Sequence, residues 1–222
     1  MFSAASPFAP SFVPDPAILL PFALASFVLA VTPGPDMALY VGRAISDGRG
    51  AGLACFAGCA TGILIHTLLV ALGLSALLVA APRLFFGLKL AGAAYLLWLA
   101  FATLRYGSSF TPAGGERRAR SWWAHFLAGL GMNLLNPKVV LFFLTFLPQF
   151  VVASDPNAPA KLVFLGLFFL VVAVPTILPM IFGAEAFSRF LQTRPRVMRG
   201  LDWLLAGVFG GFAISVLRVA AR

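Results

Sequence analysis

An apolar run from Ala17 to about Gly42 is interrupted by Thr32-Pro33-Gly34-Pro35-Asp36. Proline has no backbone N–H and its ring blocks an uninterrupted helix, and a carboxylate inside such a run is costly. The run therefore holds two half-helices with a break between them. A second break, Asn136-Pro137-Lys138, lies inside the run from Trp122 to Val152. Two broken apolar segments at matching places in two halves of a chain point to a membrane transporter.

That reading needs a bilayer, and composition supplies the case for one. Of the 222 residues, 61% are hydrophobic and 10% charged, with a mean hydropathy of +0.97. Soluble domains carry about 25% charged residues, so no soluble fold of this length could hide so much apolar surface. Lipid is the partner that covers it. The net charge of +9 would suggest nucleic acid in a soluble protein. Here most basic residues fall between apolar runs, where they set topology instead, and no nucleic-acid partner is expected. Cys55 and Cys59 sit at helical spacing with only His66 nearby as a further ligand. They read as small residues at a helix interface rather than a metal site, and no cofactor is expected. Residues 1–16 hold Pro7, Pro10, Pro14 and Pro16 and no Lys or Arg. That segment lacks the basic start of a signal peptide and reads as a short disordered tail before a single transporter domain, 17–222.

A spanning helix needs roughly 20 apolar residues. Six runs qualify: 17–42, 51–79, 84–104, 122–152, 162–182 and 201–219. Polar connections cover 43–50, 105–121 and 185–199. The runs are continuously apolar and longer than the roughly 9–11 residues of a barrel strand. The expected fold is an all-α integral membrane protein with six transmembrane helices, of which helices 1 and 4 are discontinuous. Repeat one covers about 17–105, a loop covers 106–121, and repeat two covers about 122–219. Three spans per half invert the second half relative to the first, with Pro35 over Pro137 and Asp36 over Lys138. The Arg-rich connections 1–2, 3–4 and 5–6 belong on the cytoplasmic side, which puts both termini outside. A five-span arrangement, with one proline-rich run re-entrant, would put the N-terminus inside and stays open. Oligomeric state is equally open, and a homodimer is allowed.

Gly34-Pro35 and Asn136-Pro137 each read as an N-cap followed by the first helical residue. The half-helix that starts there offers free N–H groups to a carboxylate, and carbonyls left over at Val31 and Thr32 can hold an ammonium or a cation. Asp36 and Lys138 are the ionisable residues deepest in apolar runs, each costing about 2.5–3.5 kcal/mol on insertion. They form either a structural pair that closes the bundle or the frame of a binding site that carries a coupled proton. The two readings are compatible in different states. The substrate-binding candidates are Thr32, Pro33, Gly34, Pro35, Asp36, Asn133, Asn136, Pro137 and Lys138. The candidates for proton coupling are Asp36 and His66. Asn133, one turn before Asn136, either satisfies the broken backbone or contacts ligand. His66 follows Gly58 and Gly62 on one helix face, a seam for close helix packing. It is either a hydrogen-bonded core residue or a proton relay. Lys89 and Asp202 lie one turn inside their spans and are expected to snorkel to the interface. Trp122, Trp123 and Trp203 read as interfacial anchors, and Pro175 and Pro179 as a kink in the fifth span. No His-Glu-x-x-His or Gly-x-Ser-x-Gly motif is present, so no catalytic residue is assigned and the chain is not read as an enzyme.

These residues carry a resemblance. Thr32-Pro33-Gly34-Pro35-Asp36 followed by Gly48-Arg49-Gly50-Ala51-Gly52, and the spacing Gly58…Gly62…His66…Leu72-Gly73, resemble the opening of the LysE/RhtB family of bacterial amino-acid exporters. The stretch from Lys89-Leu90-Ala91-Gly92 to Trp98-Leu99 is similar to that family's third span. Asn136-Pro137-Lys138 through Phe146-Leu147-Pro148-Gln149-Phe150 is similar to its fourth. The resemblance implies a secondary active exporter of a neutral or basic amino acid, or a homoserine- or threonine-like derivative. It would work across the bacterial cytoplasmic (inner) membrane, usually by proton antiport. The alternative is an exporter of another small cation or metal ion on the same fold. The proline-rich tail departs from the family pattern.

Overall fold

A computed structural model describes residues 13–80, 82–106, 121–152 and 155–220. The expected tail over 1–12 and the arginine-rich connection over 107–120 lie outside the described residues. Among the described residues every regular element is helical. Helix α1 (Pro16–Val31) starts where the Asp15 carboxylate accepts the Ala17 N–H at 2.8 Å. It ends at Thr32, where Pro33 can no longer continue the ladder. Helix α2 (Pro35–Ser46) follows at a bend of 52°. The second break has the same build. Helix α5 (Trp122–Leu135) is capped by Ser121 Oγ, which accepts the Ala124 N–H at 3.2 Å. Helix α6 (Pro137–Leu141) is capped by Asn136 Oδ1, which accepts the Lys138 N–H at 3.1 Å. The chain then widens into a π turn over Phe142–Phe146 and tightens into a 3-10 turn over Leu147–Phe150. The bend at this break is 53°.

The remaining helices are α3 (Arg49–Ala80), α4 (Pro82–Tyr106), α7 (Ala158–Phe182), α8 (Ala184–Thr193) and α9 (Pro195–Ala220). Among the described residues two helices are long and apolar enough to cross a membrane, Arg49–Gly73 and Ala158–Phe182, and each bent pair adds one more when counted as a single span. Large apolar side chains face outward, among them Leu20 at 76% and Leu72 at 71% exposure. Large apolar side chains turned outward in this way fit a lipid-facing surface.

Three expectations need correction. The polar connection at 43–50 is mostly helix: Arg43 donates to Asp47 at 3.1 Å across the last turn of α2, and the reversal is confined to Asp47-Gly48. Gly48 has φ of 94°, a left-handed conformation that suits glycine. The polar stretch 185–199 is not a loop either. It forms α8 and the start of α9, because Ala184, Ser188 and Leu191 recur at helical spacing and are buried. Asp202 does not snorkel but is 4% exposed, because α9 begins a full turn earlier than the apolar run and carries it inside. Helix α7 runs unbroken through Pro175 and Pro179, and Trp122, Trp123 and Trp203 are exposed.

Close packing centres on α3 against α5, with α3 against α7, α1 against α7, and α4 against α9. Glycine permits the closest approach. A Cβ on Gly129 would lie 1.9 Å from the Cys55 carbonyl oxygen, and one on Gly58 would lie 2.0 Å from the Phe126 carbonyl oxygen. Cys59 donates its thiol to the Gly129 carbonyl at 3.3 Å across the same seam. On the other side, phenylalanines fill the space between α1, the π turn, α7 and α9. Phe142 contacts Phe22, Phe146, Phe169 and Phe209 with ring centroids 4.7–6.3 Å apart.

Gly129→Ala and Gly58→Ala must force α3 and α5 apart, at a cost of roughly 1–3 kcal/mol each. Both should lower the thermal unfolding temperature in detergent. Gly50→Ala, with nothing within 4 Å of the new carbon, should not. Equal melting of all three variants would refute the seam.

Candidate functional site

The two breaks meet and exchange partners. Asp36, in the first turn of α2, accepts from Asn133 Nδ2 at 2.7 Å on one oxygen and from Asn136 Nδ2 at 2.9 Å on the other. Both asparagines belong to the second break. Lys138, in the first turn of α6, donates its ammonium to the Thr32 carbonyl at 2.7 Å. Thr32 closes the C-terminus of α1. Its hydroxyl donates back to the Val28 carbonyl at 2.6 Å, and its own carbonyl, left open by the helix end, takes the lysine. Each charge therefore meets a suitable helix end. The carboxylate sits at the positive N-terminus of α2, and the ammonium sits at the negative C-terminus of α1.

Asn136 works at both of its ends. Its oxygen caps α6 and its nitrogen holds Asp36. Asn133 Nδ2 holds the same carboxylate, while its Oδ1 is buried, has no hydrogen-bond partner among the described residues, and packs against Gly62. A Cβ on Gly62 would lie 2.5 Å from that oxygen.

A cavity of about 50 Å³ opens between the breaks, room for a few waters by the usual measure. Thr32, Gly34, Asp36, Asn133, Asn136 and Lys138 line it. Pro33, Pro35 and Pro137 do not line it: they shape the breaks. Gly34 has φ of −168°, extended backbone open to any residue. A Cβ there would make ordinary contacts with Lys138, 3.5 Å from Nζ. The expected direct Asp36–Lys138 pair is not formed among the described residues, because two amides and a carbonyl have already taken the two charges. His66 lies outside the lining. It stacks on Phe143 with ring centroids 6.0 Å apart, and its Nε2 is 3.5 Å from the Asn133 carbonyl oxygen.

The sequence reading missed the rest of the wall. Leu29 and Ala30 on α1, Met37 and Tyr40 on α2, Phe56, Cys59 and Ile63 on α3, Val139 on α6, and Phe169 and Ile177 on α7 complete the lining. Helical spacing from Asp36 through Tyr40, and from Phe56 through Cys59 to Ile63, was available as a signal. Phe169 and Ile177 gave none, being apolar residues in an apolar run. A second polar cluster was also missed. Asp47 Oδ2 receives Arg43 at 3.1 Å and lies 3.9 Å from His125 Nε2, which ties the end of α2 to the start of α5.

Asn136→Ala removes a helix cap, about 1 kcal/mol, and a hydrogen bond to a charged group, about 1.5–3 kcal/mol. Asn136→Ala should therefore unfold at lower temperature than the native chain. Gly34→Ala should match the native chain in thermal unfolding. A native-like melting temperature for Asn136→Ala would remove its bridging role.

Comparison with known proteins gives a family and relatives. The family model described as LysE type translocator matches residues 27–219. An uncharacterized membrane protein of Pseudomonas aeruginosa is 31% identical over 88% of this chain and 92% of its own length. The homoserine/homoserine lactone efflux protein of Salmonella typhimurium is 29% identical, over 90% of this chain and 95% of its own. The leucine efflux protein of an Enterobacter species is 26% identical, over 86% and 91%. No solved structure matches.

Proposed function

The chain belongs to the LysE type translocator family, and from that premise we propose that it is a secondary active exporter of amino acids or their close derivatives. It works across the bacterial inner membrane, by proton antiport. The observation that carries this reading is the pair of opposite charges, Asp36 and Lys138, held apart on neutral partners in one cavity between two broken helices. An amino acid brings one ammonium and one carboxylate. The ammonium goes to Asp36 and the Thr32 carbonyl. The carboxylate goes to Lys138 and the first N–H groups of its half-helix.

One carboxylate cannot hold a proton and a substrate ammonium equally well. A proton arriving at Asp36 weakens its hold on the ammonium and releases the cargo. Proton loss on the other side restores that hold. Competition at a single group yields exchange of one for the other. His66, whose Nε2 lies 3.5 Å from the Asn133 carbonyl oxygen, is the second group proposed to take part in proton coupling.

The architecture proposed for this cycle is six spans in an inverted 3+3 repeat, within one transporter domain from residue 17 onward. The nearly equal bends of 52° and 53° support it. So does the packing of α1 on α7 beside that of α5 on α3, with α4 on α9 between the halves. The cation or metal alternative has less support. Among the described residues no three His, Cys, Asp or Glu side chains converge.

Efflux from amino-acid-loaded cells tests the reading. Removing one partner of a buried, hydrogen-bonded charge typically costs 2–5 kcal/mol. Asp36→Asn and Lys138→Ala should therefore each slow efflux by about tenfold or more, and Asp36→Asn should also lose its dependence on the proton gradient. Native rates and coupling in both variants would sink the assignment.

A further inference from the structure

A second cavity lies beyond the one between the breaks, where the start of α3 meets the end of α7 and the start of α8. It measures about 320 Å³, within the range of about 300–1,000 Å³ usual for small-molecule sites. Its lining holds two charged groups, Arg49 and Glu185. Both are exposed, and the ion pairs formed among the described residues use other side chains. The same three helices line both cavities. On α2, Tyr40 belongs to the inner cavity and Ala44 to the outer one; on α7, Ile177 belongs to the inner and Ile181 to the outer. Each step is about one helical turn. On α3, Phe56 lines the inner cavity and Arg49 the outer, with Gly52 between them. A Cβ on Gly52 would lie 2.7 Å from the Ala44 Cβ, 2.8 Å from the Tyr40 carbonyl oxygen and 3.1 Å from Ile181 Cγ2. This tight layer separates the two cavities.

Resting on the exporter reading, we infer that the outer cavity is a second binding site, which takes a small zwitterion before it reaches Asp36. The carboxylate of the ligand meets Arg49 and its ammonium meets Glu185. The rest of the lining, apart from backbone, is alanine, Ile181 and Phe182, so the outer site reads the two charges and not the side chain between them. Contacts to exposed charges are weak, about two- to fivefold in affinity each, which suits a site that must hand its ligand on. Arg49 and α8 lie in the arginine-rich connections, which on the exporter reading face the cytoplasm, the side from which an exporter loads. The path inward then runs along α2, α3 and α7 and opens only when the Gly52 layer parts.

The test uses the purified full chain in detergent. Ala186→Cys places a reporter in the outer cavity, and Thr193→Cys places one on the same helix outside its lining. The native Cys55 and Cys59 are buried and give a low background with a membrane-impermeant maleimide. Leucine and homoserine should slow labelling of Ala186→Cys to the same degree and leave Thr193→Cys unchanged. Leucinol, which lacks the carboxylate, and isocaproate, which lacks the ammonium, should need about two- to fivefold more for the same protection. Leucine should need the same excess after Arg49→Gln or Glu185→Gln, and its protection should persist in Asp36→Asn, where the inner site is impaired. In loaded cells at sub-saturating amino acid, Arg49→Gln and Glu185→Gln should each slow efflux by a similar factor. The outer site is overturned, and the exporter reading stands, on any of four results: no protection of Ala186→Cys, protection by leucinol or isocaproate equal to that by leucine, loss of protection in Asp36→Asn, or native efflux in both charge variants. Protection with no efflux of any amino acid by the native chain would instead sink the exporter reading, and with it the place of this site on the route.

Discussion

The centre of this bundle depends on a crossed exchange. The carboxylate of the first break is held by the asparagines of the second, and the ammonium of the second is held by a carbonyl of the first. Each charge costs about 2.5–3.5 kcal/mol to place in a spanning helix. Two hydrogen bonds to Asp36, at about 1.5–3 kcal/mol each for a charged acceptor, match that cost without a direct cation. Lys138 has one strong hydrogen bond and the negative end of α1, which together are worth about as much as its insertion costs. Neither break can form its site alone, since each supplies the other's partners.

Helix packing sets the position of those partners. The α3–α5 seam is so close that Gly58, Gly62 and Gly129 leave no space for a Cβ. Gly62 lies directly against Asn133, so the same seam that holds the helices together seats the amide that holds Asp36. The Asn133 oxygen pays for this with a buried lone acceptor, a penalty of about 1–3 kcal/mol. The gain on the other side of the amide is a hydrogen bond to a charge. A change at Gly62 therefore acts on the site through packing, although Gly62 touches no charge.

Much of this was legible in the sequence, for a physical reason. Proline, glycine, asparagine and charge are expensive inside apolar runs, so their positions marked the breaks, the caps and both ionisable residues. The choice of partners was not legible. Nothing local to Lys138 says that it reaches Thr32 rather than Asp36, because that contact depends on how two distant breaks are docked. Helix α8 was hidden because its average polarity resembles a connection, although Ala184, Ser188 and Leu191 carry the helical period. Phe169 and Ile177 were hidden for the opposite reason: in a span where nearly every residue is apolar, the ones that face a cavity look like those that face lipid.

Under the exporter reading proposed above, the separation of Asp36 from Lys138 bears on how the site would load. A direct Asp36–Lys138 pair would have to be separated before a cargo could reach either charge. Here each charge rests on neutral dipoles instead. An arriving ammonium finds Asp36 already oriented by two amides, which can stay in place while it binds, because a carboxylate has about four lone-pair sites. An arriving carboxylate draws Lys138 from a carbonyl to a full negative charge, an exchange for a stronger partner. The freed Thr32 carbonyl is then available to the ammonium of the same cargo. On that proposal, loading would replace neutral contacts with charged ones at both ends of the zwitterion, and the small cavity would tie that gain to separation of the walls.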